Sequence, residues 1–446
     1  PHLLLLDEPT VGVDPISRRE LWAIVYRLVR EEGMSVVLST AYLDEAERCD
    51  EVVLLYEGRC LGQGTPASFS AALAGHSYLV SAPGIPRRRL QGILAASSDV
   101  VDAIVQGDGV RVVTRDPAPP GPLLPGTLLA GLQIRAVPPS FEDAFVRRLH
   151  AEMATREPGP RNPSPSQSPH RSPNPPPNPP PSQPRTPGPA AEGEVVIRVD
   201  QVKRRFGDFY AVRGVSFAVY RGEIFGLLGA NGAGKSTTFR MLCGLLPPSA
   251  GHLTVAGHDL RHAAAKARSR IGYMAQRFSL YSNLTVTQNL RFFASAYGLS
   301  GQRRQERIRW ALEGFDLAEL AGTEGGNLSQ GHRQRLAMAA ALLHEPEILF
   351  LDEPTSGVDP IARREFWHRI NALAESGVTI LVTTHVMDEA NYCDRLVVLA
   401  EGEVLAEAPP ADLKARFRQP GRPDPTMEDA FIALVEERTG GLGAAA

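Results

Sequence analysis

The pattern of apolar residues in the C-terminal half of the chain predicts strands of two kinds. Residues 195–206 and 215–222 alternate apolar and polar positions, a pattern that predicts antiparallel strands. Three further runs are continuously apolar: IFGLLG (224–229), EILFLDEP (347–354) and VTILVTTH (378–385). Because a parallel sheet is covered on both faces, these runs predict its central strands.

Between these predicted strands, apolar residues recur at the spacing of a helix. Residues 362–376 have the apolar period of a helix, and residues 285–345 are predicted to be mostly helical. Thr285 and Gln288 match the pattern of a capping box, so we expect a helix to begin there. The C-terminal half is therefore predicted to be of the α/β class.

The chain contains two copies of one sequence. The copies align at three places: 3–22 with 348–367, 39–58 with 383–402, and 140–149 with 426–435. Six residues precede the DEP segment of the first copy, and the chain begins at Pro1. We therefore expect the first copy to be incomplete and the N-terminus to be truncated.

A proline-rich segment joins the copies, with 15 prolines between Glu157 and Pro189. It has few apolar side chains to bury, so we expect a disordered, semi-rigid spacer in the polyproline II conformation, although its PxxP spacing also leaves open a ligand for an SH3-type domain. The sequence predicts five segments: 1–75, the end of the first copy; 76–156, a small α/β module and tail that the second copy lacks; 157–193, the linker; 194–418, the complete second copy; and 419–446, a C-terminal helix and tail.

Composition excludes several classes of protein. Lys and Arg number 47 and Asp and Glu number 50, a net charge of -3, so neither a strongly basic nucleic-acid coat nor an acidic tail is present and no nucleic-acid partner is expected. None of the four cysteines lies in a CxxC pair, so we expect reduced thiols and no disulfide framework. No apolar run approaches the roughly 18 residues of a membrane-spanning helix.

The sequence GANGAGKST at 229–237 predicts a phosphate-binding loop. It fits the pattern G-x-x-x-x-G-K-[ST] between an apolar strand and a helical stretch. The predicted nucleotide contacts are Gly229, Ala230, Asn231, Gly232, Ala233, Gly234, Lys235, Ser236 and Thr237. Lys235 should reach the β- and γ-phosphates, and the Ser236 hydroxyl should bind Mg²⁺.

The run ILFLDE at 348–353 predicts the catalytic carboxylates. Asp352, at the end of a buried strand, is a candidate Mg²⁺ ligand, and Glu353 is a candidate general base for the attacking water. A DE pair at a strand end is common, but here it follows a phosphate-binding loop. Together the two motifs predict hydrolysis of a nucleotide with Mg²⁺, and they occur in many nucleotide hydrolases.

Residues 327–360 (NLSQGHRQRLAMAAALLHEPEILFLDEPTSGVDP), followed by Thr384-His385, closely resemble the ATP-binding cassette (ABC) family. The resemblance extends over both copies. It implies the P-loop NTPase fold of ABC ATPases, with a mixed sheet, an antiparallel β subdomain and a helical subdomain. The first copy would be an incomplete cassette.

The resemblance also implies roles for matching residues. Phe206 would stack on adenine, although a core aromatic is the alternative. Gln276 would contact Mg²⁺ and sense the membrane partner, although it could be a surface polar residue. Ser329 and Gly331 lie in the signature loop that binds the γ-phosphate of the opposite cassette. His385 would contact the γ-phosphate, with a structural histidine as the alternative.

The copies differ at positions that matter for hydrolysis. Ala41 occupies the place of His385, and alanine cannot donate to a γ-phosphate. The second signature has Gln330 and His332, where the family usually has Gly and Gln. Since each ATP lies between the core of one cassette and the signature of the other, Ala41 and Gln330 would face one nucleotide. We expect one competent site and one degenerate site, although Glu8 could suffice where histidine is missing.

The resemblance implies an ATPase subunit of an exporter of drug- or lipid-like cargo. Its partners would be separate ABC-2-type membrane permeases and the other cassette, at the cytoplasmic, inner face of the cell membrane. Two alternatives are a soluble tandem-cassette ATPase acting on ribosomes and a nucleotide-gated scaffold without hydrolysis.

Overall fold

A computed structural model describes residues 2–56, 58–107, 109–120, 131–155, 193–276, 279–419 and 424–439. Residues 157–192 of the predicted linker (157–193) and the C-terminal tail from residue 440 lie outside the described residues. Within these ranges, no helix is both long and apolar enough to cross a membrane.

The first copy forms two small sheets with helices. Its elements are β1 (Leu3–Asp7), α1 (Pro15–Glu32), β2 (Ser35–Ser39), α2 (Leu43–Ala46), β3 (Val52–Tyr56), β4 (Arg59–Gly64) and α3 (Pro66–Ala71). Strands β1 and β2 pair in parallel, and β3 and β4 pair antiparallel. Helix α3 begins after Thr65, whose side chain accepts a hydrogen bond from the Ser68 N–H, and Pro66 occupies its first position.

The predicted α/β module follows. It consists of β5 (Ser77–Ser81), α4 (Arg87–Ala95), β6 (Val100–Gln106), β7 (Gly109–Thr114) and β8 (Gln133–Ala136). The strands form an antiparallel sheet in the order β6-β7-β5-β8, and buried Leu90 and Leu94 of α4 belong to its core. Helix α5 (Phe141–Thr155) then packs through Phe141 and Phe145 in the core that contains β3 and α3.

The second copy is built on two sheets. Its strands are β9 (Val195–Phe206), β10 (Phe209–Tyr220), β11 (Ile224–Gly229), β12 (Ala250–Val255), β13 (His258–Asp259), β14 (Ile271–Met274), β15 (Ile348–Asp352), β16 (Thr379–Thr384), β17 (Arg395–Ala400) and β18 (Glu403–Ala408). The mixed sheet has the order β14-β15-β16-β11-β17-β18, in which only the β17–β18 pair is antiparallel. The second sheet, β10-β9-β12-β13, is antiparallel.

These strands confirm the predicted pattern with one difference. The continuous runs at 224–229, 348–352 and 379–384 are fully buried central strands. The second alternating strand, predicted at 215–222, extends from Phe209 to Tyr220 instead, because Phe209 pairs with Phe206 across a tight turn. The register between β9 and β10 shifts after Tyr210 and after Arg213, so buried and exposed residues do not alternate strictly in this part of β10.

The helices of the second copy lie between its strands. They are α6 (Lys235–Leu242), α7 (Leu260–Arg268), α8 (Val286–Ala296), α9 (Gly301–Gly314), α10 (Gln330–Ala341), α11 (Pro360–Glu375), α12 (Pro410–Arg416) and α13 (Met427–Thr439). The predicted capping box at α8 is confirmed: Thr285 Oγ1 accepts from the Gln288 N–H at 3.2 Å, and Gln288 Oε1 accepts from the Thr285 N–H at 2.9 Å.

Strands with matching sequences differ in burial between the copies. In β1, β2 and β3, five apolar side chains are more than half exposed: Leu3, Leu5, Val37, Val53 and Leu55. Their counterparts in the second copy are fully buried: Ile348, Phe350, Leu381, Val397 and Leu399. The buried set packs with side chains from α6 and the antiparallel sheet, such as Phe239 and Val212. No counterpart of that cover is found in the part of the first copy that the structure describes.

The chain divides into two contact units that do not follow the repeat. One comprises Pro1–Pro9, Leu28–Ser164 and Asp359–Glu365; the other comprises Thr10–Arg27, Pro165–Val358 and Phe366–Ala446. Each unit thus includes a short segment from the other copy. The domain boundaries inferred from the repeat remain a prediction.

Candidate active site

The phosphate-binding loop has a backbone that requires glycine. Strand β11 ends at Gly229, where an added Cβ would lie 2.5 Å from the Leu399 carbonyl oxygen. Gly234, just before α6, has φ of 95° and would place a Cβ 2.5 Å from the Ala211 oxygen. Because both positions exclude a side chain, the loop keeps its backbone close to the strand and at the start of α6, where N–H groups can bind an anion.

Lys235 begins α6 and is almost fully buried. Its Nζ donates to the carbonyl oxygens of Gly229 at 2.6 Å and Ala230 at 3.0 Å. Burial lowers the pKa of the Lys235 ammonium, while nearby carboxylates, Glu353 first among them, oppose this effect. Ser236 and Thr237 follow in the first turn of α6 and are half-buried.

Asp352 and Glu353 lie at the carboxyl end of β15 and share one neighbour, Thr383 of β16. The Thr383 hydroxyl donates to Asp352 Oδ1 at 2.7 Å, and the Glu353 N–H donates to the same hydroxyl oxygen at 2.9 Å. Burial raises the pKa of the Asp352 carboxyl, and the Thr383 hydrogen bond acts against that rise. Glu353 has φ of 45°, the left-handed region that is costly for a side chain other than glycine.

Two of the predicted catalytic side chains, Gln276 and His385, contact the Glu353 carboxylate. Gln276 Nε2 donates to Glu353 Oε2 at 2.6 Å, and His385 Nδ1 lies 3.0 Å from the same oxygen. Burial acts to raise the pKa of Glu353, but the hydrogen bond and charge of His385, together with Lys235, outweigh it and lower this pKa. The side chain is therefore held in its ionised, proton-accepting form.

The predicted adenine and signature residues have mainly local contacts. Phe206, at the end of β9, is 46% exposed, and the Arg204 guanidinium lies 4.5 Å from its ring centroid. The ring is therefore not a core aromatic. Ser329 caps α10: its Oγ lies 2.7 Å from His332 Nδ1, and Gly331 follows in the first turn.

The first copy repeats the carboxylate geometry without the histidine. Ser39 stands where Thr383 stands in the second copy: its hydroxyl donates to Asp7 and accepts from the Glu8 N–H, the latter at 3.2 Å. Glu8 has φ of 43°, close to that of Glu353. At the next loop, however, the side chain is the methyl group of Ala41, which has no polar atom to offer the carboxylate.

Sequence reasoning missed three features of the site. It did not predict the bridging hydroxyl of Thr383. It missed the buried Glu389, which accepts hydrogen bonds from Thr355 and Thr384, the latter at 2.8 Å. It also missed Asn231 Nδ2 donating to the Gly12 carbonyl oxygen at 2.9 Å, where Gly12 belongs to the first copy. The repeat offered a signal for Glu389, since DEA occurs at the matching place in both copies.

A P-loop after the central parallel strand β11, with an acidic pair at the end of β15 two strands away, is the arrangement of a P-loop nucleotide hydrolase. The sequence profile of the family described as "ABC transporter" matches residues 212–356. The chain is 47% identical over 437 residues to the "Probable multidrug ABC transporter ATP-binding protein YbhF" of Escherichia coli (strain K12), covering 98% of this chain and 72% of that protein. The chain belongs to this family of ABC transporter ATP-binding proteins and is an ATP hydrolase.

Two further relatives match about half of the chain. The "Nod factor export ATP-binding protein I" of Burkholderia lata is 45% identical over 242 residues, which is 53% of this chain and 80% of that protein. The "Linearmycin resistance ATP-binding protein LnrL" of Bacillus subtilis (strain 168) is 39% identical over 223 residues, 50% of this chain and 72% of that protein.

Proposed function

We propose that this chain is the ATPase subunit of an exporter of drug- or lipid-like molecules, with separate ABC-2-type permeases as its membrane partners. The names of three relatives, which refer to multidrug transport, Nod factor export and linearmycin resistance, support the export direction. In this proposal, residues 194–418 are the complete cassette. The protein works on the inner face of the cell membrane.

ATP occupies the loop at 229–237 in this proposal. Lys235 exchanges its bonds to the Gly229 and Ala230 carbonyl oxygens for the β- and γ-phosphates. The exposed ring of Phe206 stacks on adenine, and Ser329 and Gly331 serve the nucleotide of the opposite cassette. The two glycines without a Cβ let the loop backbone lie close to the Leu399 and Ala211 carbonyl oxygens at the start of α6, which supports this fit.

Mg²⁺ fits the same site through Ser236, Asp352 and Gln276. Across the described ranges, no group of three or more His, Cys, Asp or Glu side chains forms a metal site by itself. One carboxylate and one hydroxyl agree with the way Mg²⁺ is bound, because this ion takes its remaining ligands from water and substrate phosphates. When bound, it neutralises charge on the phosphates.

Glu353 carries the proposed chemistry. Its carboxylate is ionised, and it accepts a proton from the attacking water, while His385 and Gln276 hold its Oε2 in place. The convergence of these side chains on Glu353 is the observation that carries the proposal. In the first copy, Ala41 offers no such contact, so we propose that the site with Ala41 and Gln330 turns over slowly.

The experiment replaces Glu353 with glutamine. We expect ATP binding to remain within twofold, while hydrolysis falls by about 100-fold or more, the usual contribution of a general base. Cells that produce the variant in place of the natural protein should accumulate a lipophilic dye that the unaltered cells export. Replacing Ala41 with histidine provides the comparison for the degenerate site, and turnover should rise.

The outcomes separate the alternatives. Unchanged hydrolysis in Glu353→Gln would contradict the assignment of the base. Intact hydrolysis in the natural protein, with sedimentation on ribosomes and no effect on dye export, would replace the exporter proposal with the ribosome-acting one. Binding without any turnover in the natural protein would favour a scaffold.

A further inference from the structure

The first turns of α1 and α11 each pack against a core of the other copy, and the two helices occupy matching positions in the repeat. Ile361, in the first turn of α11, packs against the cluster that contains Phe141 and Phe145 of α5. Its counterpart Ile16, in the first turn of α1, packs against the cluster that contains Phe431 of α13. Helices α5 and α13 carry the matching EDAF sequences. The repeat therefore places a docking helix at the C-terminal end of each copy.

The charged contacts at the two places are not equivalent. Arg364 is 6% exposed, and its Nε and Nη2 lie 3.1 and 3.0 Å from Glu142 Oε1 of α5. Its Nη1 pairs with Asp102 of β6, a side chain that is only 10% exposed. Its counterpart Arg19 is well exposed and lies 3.6 Å from Glu436. At this position of the repeat, the arginine is thus buried between two carboxylates on the α5 side and exposed on the α13 side.

The module explains this difference, because it supplies Asp102 and also fixes α5. Asp143 of α5 is buried and accepts hydrogen bonds from Ser77 Oγ at 2.9 Å and from Arg111 of β7. Asp143 also accepts from the Ser140 N–H at the start of α5, as its counterpart Asp429 does from the Thr426 N–H at the start of α13. The second copy has no module sequence that could supply an equivalent of Asp102.

We propose that Asp102 and Glu142 form an acidic socket for Arg364, and that this socket positions the loop between Glu353 and α11 for hydrolysis. The module and α5 together form the interaction surface, and the first turn and a half of α11 binds to it. Arg364 is a positioning residue, because its side chain lies in the socket and acts on the site only through the chain.

The chain between the socket and the catalytic carboxylate is short and internally bonded. The Ser356 N–H donates to the Glu353 carbonyl oxygen at 3.3 Å, and the Val358 N–H donates to that of Thr355 at 3.2 Å. Asp359 then caps α11 by accepting from the Ile361 and Ala362 N–H groups. A loop held by consecutive turns transmits a displacement of its end better than a flexible one does. Loss of the socket should therefore disturb Glu353, whose left-handed φ already depends on its surroundings.

The test uses Arg364→Gln and Asp102→Asn, singly and together, in the full chain, with steady-state ATP hydrolysis and separate measurement of ATP binding. We expect each single variant to lower kcat by about three- to tenfold, the range of coupling through packed networks, with KM and ATP affinity within twofold. The double variant should be no slower than the slower single variant, because both changes break one interaction. Arg364→Lys should restore part of kcat.

Arg19→Gln is the matched control, since it removes the corresponding arginine where the contact is exposed, and its kcat should stay within twofold. If Arg364→Gln fails to fold, as shown by circular dichroism, Asp102→Asn carries the test from the module alone. Unchanged kcat in the folded variants would overturn the proposal. So would additive losses in the double variant, or a loss of ATP affinity equal to the loss of kcat. The proposal rests on the ATPase activity and needs no membrane, so its failure is distinct from failure of the exporter role.

Discussion

The hydroxyl of Thr383 ties together the two carboxylate residues of the second copy, and its removal gives a quantitative test of the site. Thr383→Val keeps the shape of the side chain and deletes one oxygen. That oxygen donates to Asp352 Oδ1 at 2.7 Å and accepts from the Glu353 N–H at 2.9 Å, in a fully buried position. The Glu353 N–H also donates to the Thr383 carbonyl oxygen at 3.1 Å, so it keeps one acceptor in the variant. The loss is therefore dominated by the bond to Asp352.

Hydrogen bonds to charged groups contribute about 1.5–3 kcal/mol to stability, and an unpaired buried acceptor has a similar cost. We expect the free energy of unfolding to fall by about 2 kcal/mol. For a domain of this size, that decrease lowers Tm by about 4–8 °C. The pKa of Asp352 should rise further above its ordinary value, since burial remains and the hydrogen bond that opposed it is gone.

The assay is thermal and urea unfolding of the variant beside Ser39→Ala, which removes the matching hydroxyl in the first copy. Ser39 bonds to Asp7 and Glu8 at an exposed position, so its loss should cost less than about 0.5 kcal/mol. A decrease in Thr383→Val no larger than that in Ser39→Ala would refute the reasoning, because the two hydroxyls make the same bonds but differ in burial.

A further change tests the ionisation of the catalytic carboxylate. His385→Ala removes the contact that lowers the pKa of Glu353, so this pKa should rise. The acidic limb of the kcat–pH profile should therefore move to higher pH. An unmoved limb would show that His385 does not set the ionisation of Glu353.

Local sequence signals predicted the central strand, the phosphate-binding loop and the α8 cap. Strand β11 was predicted at its observed bounds because a short run of apolar residues ends at the glycine that opens the loop. The Thr285–Gln288 cap was readable because both partners lie within one turn. The proximity of Gln276 and His385 to Glu353 was implied by family resemblance rather than by any periodicity, and the roles of these side chains remain predictions.

Contacts between distant segments had no such signal. Thr383 is one of several threonines in an apolar strand, and only the register of β15 against β16 brings its hydroxyl between Asp352 and Glu353. The bond from Asn231 to Gly12 joins residues more than 200 positions apart. Likewise, nothing in the sequence around Asp102 and Arg364 indicated that these two residues would meet.

The division of helices α1 and α11 between the two contact units has a consequence for anyone who dissects this protein. A cut in the proline-rich segment would separate the copies as the repeat defines them. It would also leave each fragment without a piece that its own core packs against, residues 10–27 in one case and 359–365 in the other. Fragments made in this way should be less stable apart than mixed, and complementation between them would be the sign that they recover what the cut removed.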